Sequence, residues 1–262
     1  MNKELLFLRI VQAINLISVP VGLVWLAFNF AWSYLIVLAI SIIVISKIGN
    51  SIGTHRYFCH RSFKTSSMRE WILAFLSTLS TTGSIIQYSA VHRYHHSNSD
   101  VESDIHDPKR IGFWKAFLHY YSPEFDMKKK LTASWVKDLV RKQCCKINYE
   151  HYWKIIFAYV AVLALIDPML ILFAYAMPAG YAWFVGGVQT SPLHYAWKGH
   201  YQNYDLGSDA SHNSNFWNWM TLGDGLHNNH HAKTGHYRLN HFPEKGEWDL
   251  PGWIIEKMFL VK

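Results

Sequence analysis

Eight histidines fall in three short clusters of the 262-residue chain. The clusters are His55-Arg-Tyr-Phe-Cys-His60, His92-Arg-Tyr-His95-His96 and His227-Asn-Asn-His230-His231. Imidazole is a nitrogen ligand that suits iron, copper, zinc and nickel, and eight imidazoles exceed what one ion with four to six ligands can accept. The clusters therefore predict a site for two metal ions.

Helical spacing would bring most of these imidazoles together. In the HxxHH pattern of the second and third clusters, the histidines at positions one, four and five lie on one face of a helix. His55 and His60 lie about 140° apart on an ideal α-helix, so they converge only at a helix end or where the backbone bends. Gly53 could supply that freedom.

The elements that must position the clusters are hydrophobic. Apolar residues make up 50% of the chain and aromatic residues 16%, which favours a membrane protein. Proline and glycine stop or kink helices, so Asp167-Pro168 and Pro178-Ala-Gly180 are expected to break the second of two helical hairpins. The four predicted spans lie at about 6–28, 31–50, 153–175 and 178–198.

Between the hairpins, a segment at about 71–90 begins apolar but becomes rich in serine and threonine. If this segment crossed the bilayer, the first and second clusters would lie on opposite faces and could not share one centre. We therefore expect it to lie at the interface or to re-enter. Four spans then place all three clusters and both termini on the same side of the membrane.

Basic residues indicate which side that is, because cytoplasmic loops carry an excess of lysine and arginine. We expect no nucleic-acid partner for the net charge of +7, since basic residues beside spans orient the chain or contact anionic lipid. The prediction is an all-α integral membrane protein, one domain over 1–262, with a helical cap that holds the metal site in the cytoplasm. The basic residues lie in the loop before the second hairpin: Lys109, Arg110, Lys115, Lys128, Lys129, Lys130, Lys137, Arg141, Lys142, Lys146 and Lys154.

Other residues could join or support the metal site. A helix from Pro178 rises about 24 Å by His194, which brings this histidine to the membrane face of the clusters. His194 is therefore a candidate ninth ligand, although a hydrogen-bonded structural role is equally open. Asp100, Asp104 and Asp224 are expected to accept N–H groups from ligand imidazoles rather than bind metal.

The flanks of the clusters extend the pattern. The first cluster lies in Gly53-Thr-His55-Arg-Tyr-Phe-Cys-His60-Arg-Ser-Phe-Lys-Thr65, the second is followed by Asp104-Ile-His106-Asp-Pro108, and the third follows Gly223-Asp-Gly-Leu. From about Ile48 to His231 the chain resembles membrane acyl-CoA and acyl-lipid desaturases, delta-9-like enzymes with three histidine boxes.

The resemblance implies a di-iron centre that uses O2 and electrons to remove two hydrogens from adjacent methylenes of a long acyl chain. On it, the eight box histidines carry over as iron ligands, and His194 matches the family's additional histidine. The family usually has asparagine four residues before that histidine. This chain has Thr190 at that position and Gln189 beside it. The difference affects a water-mediated ligand of the centre, and Gln189 could substitute for the asparagine.

The implied partners are a fatty acyl-CoA or acyl-lipid substrate, the bilayer and an external electron donor. The donor is expected to be a separate protein, because the chain has no His-Pro-Gly-Gly signature of a fused haem carrier. It would be cytochrome b5-like or ferredoxin-like. A fatty acyl or lipid hydroxylase on the same scaffold is the nearest alternative. A membrane zinc hydrolase is disfavoured because no HExxH occurs, and a metal transporter because its ligands would lie midway along the spans.

Overall fold

The fold is built almost entirely from helices, as the sequence predicts. The computed structural model of the chain describes residues 3–118 and 134–261, so Lys128, Lys129 and Lys130 lie outside the described residues. Among the described residues, sheet is confined to two short antiparallel strands, β1 (His200–Tyr201) and β2 (Asn213–Ser214). The all-α prediction is confirmed.

The first hairpin consists of α1 (Lys3–Phe28) and α2 (Trp32–Cys59). Helix α2 continues past its predicted end at residue 50 and carries the first histidine cluster. From Ile42–Cys59 its turns are of the π type, and at their end the His60 N–H donates to the His55 carbonyl at 3.0 Å. In this i to i+5 pattern the two histidines lie close to one turn apart, which brings together a pair that an ideal α-helix would separate.

The segment predicted at 71–90 is two helices, α3 (Ser67–Leu79) and α4 (Ile85–Ser97), joined by a turn at 80–84. Helix α3 descends along α2, where Ser77 Oγ donates to the Gly49 carbonyl at 3.0 Å. Helix α4 begins with a capping box formed by Ser84 and Gln87 and returns to the second cluster. The chain therefore reverses direction at the turn between α3 and α4, and the segment does not form one continuous span.

The second hairpin turns earlier than the sequence suggests. Helix α7 (Gln143–Glu150) bends by 73° into α8 (Tyr152–Ile166), and α9 (Ile171–His194) follows the turn at Asp167-Pro168. Asp167 Oδ1 accepts the Met169 N–H at 2.9 Å and stabilises that turn. The predicted boundary between spans 153–175 and 178–198 is therefore wrong.

Pro178 and Gly180 lie inside α9 for reasons that a local pattern does not reveal. Pro178 occupies the first turn of the α-helical part of α9, directly after π-type turns over Ile171–Ala176, where proline is tolerated. Gly180 allows α1 to approach, since a Cβ atom there would lie 2.0 Å from the Asn15 carbonyl oxygen. Close packing against α1, rather than a helix break, explains this glycine.

Three described helices are long and apolar enough to cross a membrane, namely α1, α2 and α9. A fourth span results if the bent pair α7 and α8 counts as one. Large apolar side chains such as Ile14, Ile17 and Ile40 are exposed along the first hairpin, as expected for lipid contact.

Short helices cover the ends of α2, α4 and α9, where the histidines gather. In several of these short helices, a side chain accepts a backbone N–H group of the first turn. Ser214, for example, caps the first turn of Asn215–Met220 through the Trp217 N–H. This helical cap comprises α5 (Pro108–Ile111), α6 (Phe113–Phe117), α10 (Asn215–Met220), α11 (His227–Ala232) and α12 (Leu250–Ile254), the last continued by π-type turns over Ile255–Phe259.

Candidate metal centre

All nine histidines singled out in the sequence gather in two groups beneath the helical cap. Within each group, one ring nitrogen of every member lies within 4.8 Å of those of the others. The first group contains histidines from all three clusters. The second contains histidines from the second and third clusters together with one histidine of α9. The first group is His55, His60, His92, His96 and His230, and the second is His95, His194, His227 and His231.

Four Nε2 atoms of the first group form a closed ring. The His55–His92, His92–His96, His96–His230 and His230–His55 separations are 2.9, 3.0, 3.0 and 3.1 Å. The centre of a square with such sides lies about 2.1 Å from each corner, which matches the roughly 2.0–2.1 Å between zinc and an imidazole nitrogen. The ring therefore has the size that a first-row metal ion requires.

Hydrogen bonding does not account for this ring. An Nε2 atom of a neutral imidazole carries either one proton or one lone pair, so the two-by-two pairing of donors with acceptors leaves at least two of the four contacts in the ring without a hydrogen bond. His60 Nε2, the fifth nitrogen of the group, is buried without a hydrogen-bond partner among the described residues. Convergent, desolvated nitrogen lone pairs fit a bound cation, and the residues present therefore fit a metal ion.

The second group is supported by carboxylates. His194 Nε2 and His231 Nε2 lie 3.1 and 3.0 Å from His227 Nε2. The Nδ1 atoms of His95, His194 and His231 lie 3.0, 2.8 and 2.6 Å from oxygens of Asp104, Asp100 and Asp209, respectively. An Nδ1–H donated to a carboxylate leaves the Nε2 lone pair for the metal and fixes the ring orientation.

Asp100 and Asp104 thus accept N–H groups from imidazoles, as expected, whereas Asp209 was missed. Asp209 lies in the long polar segment between α9 and α10, far in sequence from any histidine cluster. It reaches His231 only through the tertiary fold, and no local spacing could have indicated it.

Burial keeps most of these imidazoles neutral. It lowers the pKa of His60, His92, His96 and His230 well below the ordinary value for histidine, and nearby imidazoles lower it further. Burial also opposes the charge of His95, but the carboxylates of Asp104, Asp100 and Asp209 together outweigh it and raise the pKa of that ring. Neutral imidazole is the form that binds metal.

A cavity between α2, α4 and α9 opens onto both groups. Four imidazoles line it, from His92, His95, His106 and His227. Its walls are largely apolar or aromatic and come from α4 and α9, with Val91, Ala182, Trp183 and Gly186 among them. An apolar chain in this cavity would contact the side of the paired histidine groups.

The sequence profile described as "Fatty acid desaturase" matches residues 29–244. The chain belongs to the fatty acid desaturase family. It is therefore an oxidoreductase that acts on fatty acyl chains, and the family accounts for a helical membrane protein with clustered histidines.

Curated relatives of this desaturase have related activities. It is 29% identical to an sn-1 stearoyl-lipid 9-desaturase from Anabaena variabilis over 89% of this chain and 83% of the relative. It is 28% identical to an sn-1 stearoyl-lipid 9-desaturase from Synechocystis sp., over 88% of this chain and 71% of the relative. It is also 26% identical to an acyl-CoA 5-desaturase from Anemone leveillei, over 87% and 70% of the two chains.

Asp224 of the desaturase departs from its predicted role, because its carboxylate contacts cations of α2 rather than an imidazole. Lys47 Nζ lies 2.6 Å from Oδ2, while Ser51 Oγ and Arg56 Nη2 lie 2.6 and 3.0 Å from Oδ1. Burial opposes the charge of Asp224, but the two cations outweigh it and lower the pKa of Asp224 to about 2. Arg56 also pairs with Asp249 at 2.7 Å.

Gln189 and Thr190 both line the cavity, but their polar groups face different neighbours. Thr190 Oγ1 donates to the Ala116 carbonyl at 2.8 Å. Gln189 Nε2 lies 3.4 Å from the Asp224 carbonyl oxygen. Of the two, Gln189 remains the better placed to support a polar group near His227, and its role stays a prediction.

The two asparagines within the third cluster, Asn228 and Asn229, are fully buried and position helix α11. Asn228 Oδ1 accepts the N–H groups of Asn203 and Tyr204 at 2.8 and 2.9 Å. Asn229 Nδ2 donates to Glu247 Oε2 at 2.9 Å. Their place between two ligand candidates was the only sequence signal of this role.

Proposed function

We propose that this desaturase uses two iron ions and O2 to introduce a cis double bond into a long-chain fatty acyl substrate, with a delta-9-type position. The observation that carries the proposal is the apolar cavity lined by imidazoles of both histidine groups. Two of the relatives described above are 9-desaturases, which supports the position. The acyl carrier is coenzyme A or a lipid, since relatives of both kinds are similar to the chain.

The nine histidines would hold the metal, five around one iron ion and four around the other. Nitrogen ligands of this kind suit iron, among other metals. Activation of O2 for the removal of hydrogen from an unactivated methylene is the chemistry that iron would supply, since no protein side chain can perform it. Asp100, Asp104 and Asp209 hold three of the rings in the orientation that ligation needs.

The remaining residues bind and orient the acyl chain. Val91, Ala182 and Trp183 offer an apolar wall, so the chain is drawn in by the burial of methylene groups. The buried walls exclude water from the reacting carbons. Because the chain is held along one path, the pair of carbons beside His92, His95 and His227 is the pair that reacts.

Electrons come from an external donor of the cytochrome b5 or ferredoxin type, since removal of two hydrogens by O2 requires two further electrons. We infer that the histidine groups, the helical cap and both termini lie in the cytoplasm. The basic residues of the loop between the second cluster and the second hairpin support this orientation, because cytoplasmic loops carry an excess of lysine and arginine. One of them, Arg110, donates to the carbonyl of Asp104, whose carboxylate contacts His95. The described ones include Lys109, Arg110, Lys115, Arg141 and Lys142.

Expression in a host that lacks monounsaturated lipids tests the proposal. Gas chromatography of the host's fatty acids should show a new cis-unsaturated product, and the purified protein should contain iron. His95→Ala should abolish the product, whereas His236→Ala, which changes an exposed histidine outside both groups, should not. A hydroxylated product would support the hydroxylase alternative instead, and purified wild-type protein with zinc but no iron would contradict the proposed cofactor.

A further inference from the structure

A second cavity reaches the histidine groups between the C-terminal end of α4 and the segment 206–209. The exposed residues Ser97 and Ser208 line its mouth. His96 of the first group and His231 of the second also line it. The centroids of these two rings lie 4.2 Å apart, so the cavity meets the groups at the point where they adjoin. One opening therefore gives access to both groups.

The second cavity suits a hydrated ion, in contrast to the largely apolar cavity between α2, α4 and α9. It encloses about 240 Å³, which is room for several water molecules. Transfer of an ion through apolar surroundings would be unfavourable, because the ion would lose its hydration without replacement. Most of the residues that line the second cavity offer oxygen atoms instead, namely Ser97, Asn98, Ser99, Ser208 and Asp209.

The segments that include its walls are acidic, although the net charge of the chain is +7. Residues 97–107 and 199–212 contain no lysine or arginine. Carboxylates around a cleft make its electrostatic potential more negative and raise the local concentration of cations. The carboxylates of these two segments are those of Asp100, Glu102, Asp104, Asp107, Asp205 and Asp209.

Contacts between the two walls fix the second cavity in the fold. Asp100 Oδ2 accepts the Ala210 N–H at 2.7 Å, and the same carboxylate contacts His194 Nδ1. Asp209 accepts the Ser211 N–H at 2.9 Å and contacts His231 Nδ1. The walls therefore cannot part without a disturbance of the rings that would hold the metal. A path through the cavity needs no such movement.

We propose that the second cavity is the path by which Fe²⁺ enters and leaves the paired histidine groups. This inference rests on the proposed function, because it takes iron as the bound metal. The carboxylates attract the divalent cation, and the hydroxyl and amide oxygens of the walls replace part of its hydration on the way in. At His96 and His231 the ion meets one nitrogen ligand of each group, so one path supplies both.

The test is the rate at which the purified, reduced holoprotein releases iron to a bulky sulfonated ferrous chelator. Exit and entry along one path share one barrier, so release reports on both. Ser208→Trp places an indole ring in the mouth and should slow release by about tenfold or more, since about 1.4 kcal/mol added to the barrier has that effect. Leu206→Ala removes an apolar side chain from the wall and should accelerate release.

Ser67→Trp is the matched control, because Ser67 is an exposed serine at the start of α3 that does not line the second cavity. It should release iron at the wild-type rate. The thermal unfolding midpoint and the iron content before the chelator is added establish that each variant is folded and loaded.

Equal release rates in wild type, Ser67→Trp and folded Ser208→Trp would overturn the path. If Ser208→Trp does not fold, an unchanged rate in Leu206→Ala has the same consequence. Slower release in Ala182→Val, which narrows the apolar cavity, together with an unchanged rate in Ser208→Trp would assign the path to that cavity instead. If the wild type contains zinc in place of iron, the proposed cofactor fails, and zinc release from the same variants still tests the path.

Discussion

Replacing Asp224 with asparagine should destabilise the protein strongly, because it leaves Lys47 as a buried cation without a carboxylate. The Lys47 and Asp224 side chains are 0% and 1% exposed. Lys47 pairs with Asp224 and also donates to the Thr221 carbonyl, whereas Arg56 retains a second partner in Asp249. The loss therefore falls mainly on Lys47.

Removal of one partner from a buried ion pair typically costs about 3–5 kcal/mol, because the remaining charge is desolvated without compensation. For a chain of this size, that corresponds to a decrease in Tm of about 6–20 °C. Loss of the lysine proton would bring the value towards the lower end. The double variant Lys47→Met, Asp224→Asn removes both charges and should recover a large part of the loss.

Thermal unfolding of the purified protein in detergent measures these differences, with iron content as a second readout. Lys47→Met alone should be milder than Asp224→Asn, since Asp224 keeps its contacts with Arg56 and Ser51. If Asp224→Asn and the double variant lose equal stability, the uncompensated lysine is not the cause, and the reasoning from charge burial is refuted.

Three further predictions follow from individual contacts. Asp209→Asn should weaken iron binding by about 10–100-fold, because Asp209 orients the His231 ring. The control Asp205→Asn, at an exposed position, should leave iron binding unchanged. Equal iron retention against a chelator in both variants would contradict this prediction. Gly180→Ala should lower the free energy of unfolding by about 1–3 kcal/mol or more, because the new Cβ atom would clash with the Asn15 carbonyl. Gly235→Ala is the control, since a Cβ atom there meets open space. Equal Tm values for the two variants would be evidence against close packing of α1 and α9. The carboxyl of Asp224 has a lowered pKa of about 2, so its contribution to stability is complete above its unfolded-state pKa near 3.8 and is lost as pH falls through about 2. Unfolding of Asp224→Asn should lack that part of the acid dependence, and an identical pH profile in wild type and variant would disprove the assignment.

The sequence predicted the histidine groups well because their information is local. HxxHH spacing defines one helix face in any context, and the separation of clusters by apolar stretches left few topologies that could bring them together. His60 is the exception, since its contact with the first group depends on π-type turns in α2. The sequence required a bent backbone there but did not indicate which kind.

The errors concern residues whose roles depend on tertiary neighbours. Pro178 and Gly180 look like a helix break, yet the glycine is there because α1 passes too close for a side chain. Asp209 contacts His231, 22 residues away in the sequence. Asn228 and Asn229 contact Asn203 and Glu247, which are 25 and 18 residues away. Propensity describes how a segment behaves alone, and these positions are determined by what packs against it.

Asp224 shows how the first and third clusters become coupled. Its position three residues before His227 suggested an imidazole partner, but positive φ angles of 51° at Leu222 and 103° at Gly223 direct this turn towards α2. Lys47, Ser51 and Arg56 of α2 hold the turn, and α2 also carries His55, whose Nε2 lies 3.1 Å from that of His230. One helix therefore supplies a metal-ligand candidate and also the charges that position a second cluster, so a change at Lys47 should disturb the metal site without touching any histidine.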